Sequence, residues 1–210
     1  MTDLTRLSDA IERGDHGAAR SLTDEALAEG IEPSLVLDAM TSAMETIGAS
    51  FQRGDTYVSG MLISARAMKE GMAVLEPALV SSGLQPEHTV VIGTVAGDLH
   101  DIGKGLVAMM WKGANLNVVD IGTNVSPERF VEAARENGAA AIGLSALLTT
   151  TMTAMADVVA AVRASDLSGV KVIVGGAPVT AEYAASIGAD GFASDASVAV
   201  DVIKQQLALG

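Results

Sequence analysis

Apolar positions along the chain follow two different rhythms. Up to about residue 85 they recur every three or four positions, the period of helices with one buried face. Leu4, Leu7 and Ile11 share one such face, and Ala18, Leu22 and Ala26 another. From Pro33 to Phe51 the residues Leu35, Leu37, Ala39, Met40, Met44 and Ile47 keep helical spacing, with the proline near the start, where its missing N–H is harmless. Arg53-Gly54-Asp55-Thr56 breaks that run, and a fourth segment, Tyr57 to Leu79, carries Met61, Leu62, Ala65, Met68, Met72 and Leu75 in the same way. The methionines read as flexible core filler. Four helices joined by short breaks predict a small bundle.

Ser81-Ser82-Gly83-Leu84-Gln85-Pro86-Glu87-His88 is polar and turn-prone, which predicts a linker and places the boundary between residues 1–86 and 87–210. Beyond it, short β-branched runs at Val90–Val95, Asn117–Ile121, Ala140–Leu144, Val170–Val174 and Gly191–Ala193 alternate with helical stretches near 103–114, 127–137, 151–164, 180–187 and 196–208. Five such units predict an α/β domain, a flavodoxin-like, doubly wound, five-stranded parallel sheet covered on both faces. In such sheets ligands bind at the carboxyl ends of the strands. The chemistry is therefore expected in the segments that follow each strand.

Composition narrows the classes. Nearly half of the 210 residues are apolar, enough for a full core, while the net charge of −13 and pI of about 4.5 argue against nucleic acid or an anionic membrane as partner. There is no cysteine, which removes disulfides, thiolate metal sites and iron–sulfur clusters. The opening Met1-Thr2-Asp3-Leu4-Thr5-Arg6 has neither the basic nor the apolar region of a signal peptide, and no apolar run reaches membrane-span length. A cytoplasmic protein is expected.

After the first predicted strand comes Asp98-Leu99-His100-Asp101-Ile102-Gly103, one imidazole between two carboxylates. Gly97 to Lys104 resembles a phosphate loop only superficially. Five residues rather than four separate its glycines, and Gly105 stands where a magnesium-binding hydroxyl belongs. The first turn also lacks the glycine fingerprint of dinucleotide sheets. A receiver-type sheet wants an aspartate after the third strand, where this chain has Ser145. A hydrolytic metal site needs about three protein ligands, and His16 and His88 read as an exposed turn residue and a linker residue. Taken alone, His100 is open between a structural role and ligation of a metal whose other positions a macrocycle already fills.

Spacing bears on that choice. Forty-one residues separate Gly103 from Ser145-Ala146-Leu147, and 27 more separate Leu147 from Gly175-Gly176, each element at a predicted strand end. The pattern D-x-H-x-x-G, S-x-L, G-G at these intervals resembles the signature of cobalamin-binding domains. The resemblance covers the whole chain. Ser64-Ala65-Arg66-Ala67-Met68-Lys69 and Leu75-Glu76-Pro77 look like the cap domain of methionine synthase and of corrinoid methyl-carrier proteins, with residues 1–86 as cap and 87–210 as cobalamin domain. Ile92-Gly93-Thr94-Val95, Ser145 to Met152 and Val174 to Thr180 look most like the methylamine- and methanol-type members.

That resemblance implies a cobalamin or related corrinoid, cycling between methyl-cobalt(III) and cobalt(I), with its lower base displaced. His100 would be the metal ligand, Asp98 its proton partner, and Thr151, serine in the synthase, the end of the relay. Ser145 and Thr149 would bond the displaced base, Leu147 would line its slot, Gly175 and Gly176 would leave room for the tail, and Ala177 would be a further cofactor-binding residue. Asp101 and Ile102 would border the corrin, Asp101 being open between that and a helix cap, while Gly103 would be the turn that starts the next helix. Phe51 and Val58, the latter leucine in the synthase, would shield the upper face, with bundle core as the alternative for Phe51. No side chain is expected to be catalytic on its own account. The implied partners are a substrate-specific methyltransferase, a second methyltransferase with a thiol or tetrahydrofolate acceptor, and a reductive activase. The alternatives are the cobalamin subunit of a carbon-skeleton mutase and a cobalamin-dependent regulator or light sensor.

Overall fold

The computed structural model describes residues 3–83 and 86–209. Leu84 and Gln85 of the expected linker, and Met1 and Thr2, lie outside them. The chain divides into two compact units at Pro86/Glu87, with Gly113–Asn115 grouped with the first.

The first unit holds four helices among the described residues: α1 (Leu4–Glu12), α2 (His16–Ala28), α3 (Pro33–Gln52) and α4 (Val58–Ser81). Short polar side chains start the first two, Asp3 accepting from the Thr5 N–H and Asp15 from the Ala18 N–H, while Pro33 opens α3. Leu7, Ile11, Val36, Met40, Met61 and Leu75 are buried at its centre, and Met44 and Met68 are buried beside them, so these methionines do fill core. Leu35 and Leu62 do not follow the expected pattern and are exposed. Val36, Met40 and Ala43 already form the buried stripe of α3, and Leu35 stands one step of about 100° off it. His16 opens α2 instead of lying in a turn, and it is exposed as expected.

The second unit is a five-stranded parallel sheet in the order β2-β1-β3-β4-β5. Its elements are β1 (Thr89–Thr94), α5 (Ile102–Gly113), β2 (Asn117–Asp120), α6 (Pro127–Glu136), β3 (Ala141–Ser145), α7 (Thr153–Ala164), β4 (Lys171–Gly175), α8 (Ala181–Ser186), β5 (Gly191–Ala193) and α9 (Ala196–Gln206). Val90, Val91, Ile142, Val172 and Val174 are fully buried, because helices cover both faces and no polar face is needed. Phe130 of α6 and Met155, Val158 and Val162 of α7 share one continuous core with Val91, Ile142 and Val174. Trp111 of α5 is buried, and its indole N–H donates to the Ala199 carbonyl of α9 at 2.9 Å, joining those two helices. His88, expected in the linker, is half-buried, and its carbonyl accepts from the Asn117 N–H at 3.1 Å, extending the β1–β2 ladder by one residue.

The sheet reverses direction of growth between β1 and β3, whose paired ends are Gly93–Leu144 and Thr94–Ser145. A crevice opens outside the carboxyl ends of the strands at such a reversal. The loops after β1 and β3 flank it. Expected and observed strands agree to about a residue; helix α7 starts at Thr153 and not at 151, because residues 148–152 turn before it. Among the described residues no helix is long and apolar enough to cross a membrane.

Candidate functional site

Asp98 is the centre of the site. It is buried, yet all of its hydrogen-bonding capacity is used. One carboxylate oxygen accepts from the His100 backbone N–H at 3.0 Å and meets His100 Nδ1 at 2.7 Å. The other accepts from the Leu147 N–H and from the Thr151 hydroxyl, both at 2.7 Å. Burial pushes this carboxyl up, but bonds from Leu147, Thr151 and His100 outweigh it and hold Asp98 well below the usual carboxylate range. It is therefore an anion at neutral pH and can only accept. His100 Nδ1 then carries the proton of this contact, and in the neutral ring the lone pair is on Nε2. The ring is half exposed, and Nε2 has no partner among the described residues.

The loops are held from beneath. Thr94, fully buried at the end of β1, donates its hydroxyl proton to the His100 carbonyl at 2.9 Å. Asn124, in the loop after β2, accepts the Gly97 N–H on its side-chain oxygen at 2.8 Å, and its own N–H donates to the Asp98 carbonyl at 2.9 Å. Lys104 is buried in the first turn of α5, with its ammonium 2.7 Å from Asp101 and 2.5 Å from both oxygens of Asp120. Burial lowers the Lys104 pKa, but these two carboxylates raise it further, so it stays charged. Asp101 is thus engaged with Lys104 along the start of α5. Gly103 is the second residue of α5 and not a turn, since the helix already starts at Ile102.

On the β3 side, Ser145 ends the strand, and Leu147, Thr149 and Thr151 lie in the turns that follow. The Ser145 and Thr149 hydroxyls make no hydrogen bond among the described residues. Leu99, Ile102, Leu147 and Leu148, on the two segments joined through Asp98, are large apolar side chains left exposed, Ile102 at 78%. Together with Nε2 these surfaces offer one nitrogen lone pair set in an apolar rim, with free hydroxyls at the neighbouring strand end. That arrangement suits a large, largely apolar group with one open coordination position. A nucleophilic triad would need a nucleophile near the imidazole, and here the hydroxyl of the chain, Thr151, lies on the far side of the carboxylate. Among the described residues no three His, Asp or Glu side chains converge as a metal cluster.

Gly175 ends β4, and Gly176 and Ala177 turn away from it, Ala177 exposed. The protein's own backbone fixes the glycine pair. A Cβ on Gly176 would lie 1.9 Å from the Ala146 carbonyl oxygen, and one on Gly175 2.9 Å from that of Ala193. With φ at +135°, Gly176 also has a conformation that side chains rarely adopt. The room expected for a ligand tail is thus needed first for the neighbouring strand ends. Phe51, half-buried in the last turn of α3, and Val58, exposed as the first residue of α4, flank a turn in the helical unit that also exposes Tyr57.

The sequence assigns no role to Thr94, Lys104, Asp120 or Asn124. Thr94 lies in a stretch that resembles the family, and Asn124 in the segment 122–125 after the second strand, on the expected functional edge.

The B12 binding domain family matches residues 88–201, and a second family of the same description matches residues 3–76. A corrinoid protein of Desulfitobacterium hafniense is 36% identical, covering 99% of this chain and 98% of its own length. A trimethylamine corrinoid protein of Methanosarcina mazei is 37% identical over 97% of this chain and 96% of its own. The crystal structure of the methanol:cobalamin methyltransferase complex MtaBC from Methanosarcina barkeri contains a similar chain. The TM-score is 0.84 at 25% identity, covering 98% of this chain and 80% of that one.

Proposed function

The chain belongs to the B12-binding corrinoid proteins, and from that premise we propose that it carries a methyl group on a bound corrinoid between two methyltransferases. One observation carries this reading. A half-exposed imidazole gives its Nδ1 proton to a buried carboxylate and keeps the Nε2 lone pair open in an apolar rim. When bound, the corrinoid supplies a cobalt centre that can accept and release a methyl group, and the protein supplies its environment.

In this reading Nε2 of His100 holds the metal, and Asp98 holds the Nδ1 proton, which fixes the tautomer and raises ligand basicity. Thr151 and the Leu147 N–H share the charge of Asp98 and would compensate it when a further proton enters or leaves the pair. Ser145 and Thr149 offer their free hydroxyls to the displaced lower base, and Leu147 lines its slot. Gly175, Gly176 and Ala177 border the tail, and Asp101 and Ile102 the corrin edge. Residues 1–86 act as the cap, with Phe51 and Val58 excluding water from the cofactor, and residues 87–210 bind it.

Trimethylamine and methanol name the systems of two similar proteins, which supports a substrate-specific methyltransferase as the donor-side partner. A corrinoid:acceptor methyltransferase would receive the group, and a reductive activase would restore an oxidised centre. The acidic chain, at −13, suits basic docking faces on such partners.

The test is to load the full chain with hydroxocobalamin, desalt it and add reductant, a methyl donor and a donor-specific methyltransferase. Stoichiometric retention of the cofactor and an absorbance change on methylation are expected. A parent chain that retains no corrinoid would remove the whole reading. Retention without methylation by trimethylamine, dimethylamine, monomethylamine or methanol systems would remove the carrier role in those systems.

A further inference from the structure

We infer that Asn124 is a positioning residue for the His100 loop and sets the fraction of bound cobalt that the imidazole holds. The inference rests on the reading of His100 as cobalt ligand and goes beyond it, to a residue that touches neither the ring nor the rim.

Asn124 has φ +54°, left-handed backbone in which a glycine would be unstrained, as Gly122 is at +85° two residues earlier. Asparagine tolerates this conformation better than most side chains, and its amide supplies a contact that glycine cannot. Here its amide oxygen accepts the Gly97 N–H, while its backbone N–H donates to the Asp98 carbonyl. The two bonds grip the peptides on either side of the Gly97–Asp98 pair. Next to it, the Val125 N–H donates to the Thr94 carbonyl at 3.0 Å, and Val95 bridges Val125. The roots of the two loops are thereby in register, and Asn124 reaches further out, to the point where the chain turns toward His100.

The consequence follows from how the imidazole is held. Thr94 fixes the His100 carbonyl and Asp98 fixes the His100 N–H, so the backbone is anchored twice. The ring has one anchor, its 2.7 Å contact with Asp98. Asp98 in turn is held at its oxygens by Leu147 and Thr151 and at its backbone by the Val95 carbonyl and the Asn124 N–H, and the Asn124 amide adds the hold on the peptide before it. Without the amide oxygen the Gly97 N–H loses its partner, the Asp98 Cα–Cβ direction loosens, and Nε2 points at the metal less often. Loss of about one neutral hydrogen bond's worth of positioning corresponds to about a fivefold fall in the ratio of imidazole-on to imidazole-off cobalt.

The experiment uses the full chain labelled with 15N-histidine, loaded with cobalamin and reduced to cobalt(II), read by electron paramagnetic resonance. A histidine nitrogen on cobalt splits the high-field lines in two when it is 15N and in three when it is 14N. In the parent the label should convert three lines to two. N124G, which relieves the backbone strain, should keep its unfolding midpoint while its ratio of histidine-split to unsplit cobalt(II) signal falls about fivefold. N124S, whose acceptor is withdrawn by one bond, should behave likewise and serves if N124G does not fold. N124D, which keeps an acceptor oxygen in place, should restore the parent spectrum. Parent-like splitting in N124G and N124S would overturn the role of Asn124, as would a loss that N124D fails to restore. A parent spectrum indifferent to the label would instead overturn His100 as ligand, a separate outcome.

Discussion

At the scale of single residues, Asp98 shows why a buried charge can be kept. Four donors converge on its two oxygens, from two backbone N–H groups, one hydroxyl and one imidazole. Asn at this position offers a single acceptor oxygen, so whichever way the amide turns, one pair of donors faces an NH2 group. Asp98→Asn should therefore lose about 1–3 kcal/mol of stability at neutral pH. The pH dependence has a definite sign. The folded pKa of Asp98 lies below the unfolded value of about 3.9, so the unfolded chain takes up the proton first and the carboxylate's contribution falls as pH falls. Urea titrations of both proteins should show a gap that narrows as pH falls below about pH 4. A gap that widens over that acid range would contradict this account. Thr151 was legible at this scale because its place six residues after Ser145 follows from the resemblance, and its hydroxyl does reach Asp98. Lys104 was not, since a helical period cannot report its pairing with Asp120 at the end of β2, 16 residues away in sequence.

Elements were legible where one periodicity ruled. The five strands are short β-branched runs between helical stretches, and each fell within about a residue of its observed place. Boundaries slipped where a side chain outside the element decides them. Residues 148–152 turn because the Leu148 carbonyl accepts from the Thr151 and Met152 N–H groups while Thr151 faces Asp98, and a helical period cannot report a contact 53 residues away in sequence. The glycine pair after β4 illustrates the same limit. Its position was read correctly, but the tight approach of Ala146 and Ala193 depends on sheet register, which periodicity leaves open. Gly176→Ala should be strongly destabilising, by about 3 kcal/mol or more, because both backbone conformation and a carbonyl oxygen oppose the methyl group. Gly175→Ala meets a contact a full ångström longer and should cost less. Chemical denaturation of the unliganded proteins orders the two, and equal losses would show that the backbone near Ala146 yields easily.

For the whole molecule, right-handed crossovers, burial of both sheet faces and short connections restrict five βα units to a few doubly wound orders, and the flavodoxin-like one, β2-β1-β3-β4-β5, is the order observed. The switch point then falls between β1 and β3, and the residues of the motif needed only their positions after those strands to be brought together. The loop after β2 falls on the same edge, but it carries no motif, so the topology does not single out Asn124 within it. A site assembled from separate strand ends should couple ligand binding to stability. A corrinoid that binds the folded chain alone stabilises it by mass action, by about 2.7 kcal/mol at a hundredfold excess over Kd. The unfolding midpoint of the parent should rise with cobalamin concentration. His100→Ala, which leaves the apolar rim and the Ser145 and Thr149 hydroxyls in place, should keep part of that rise and lose the share due to metal ligation. Equal rises in the two proteins would mean that the cofactor is held by the rim and the slot, with the imidazole adding nothing to affinity.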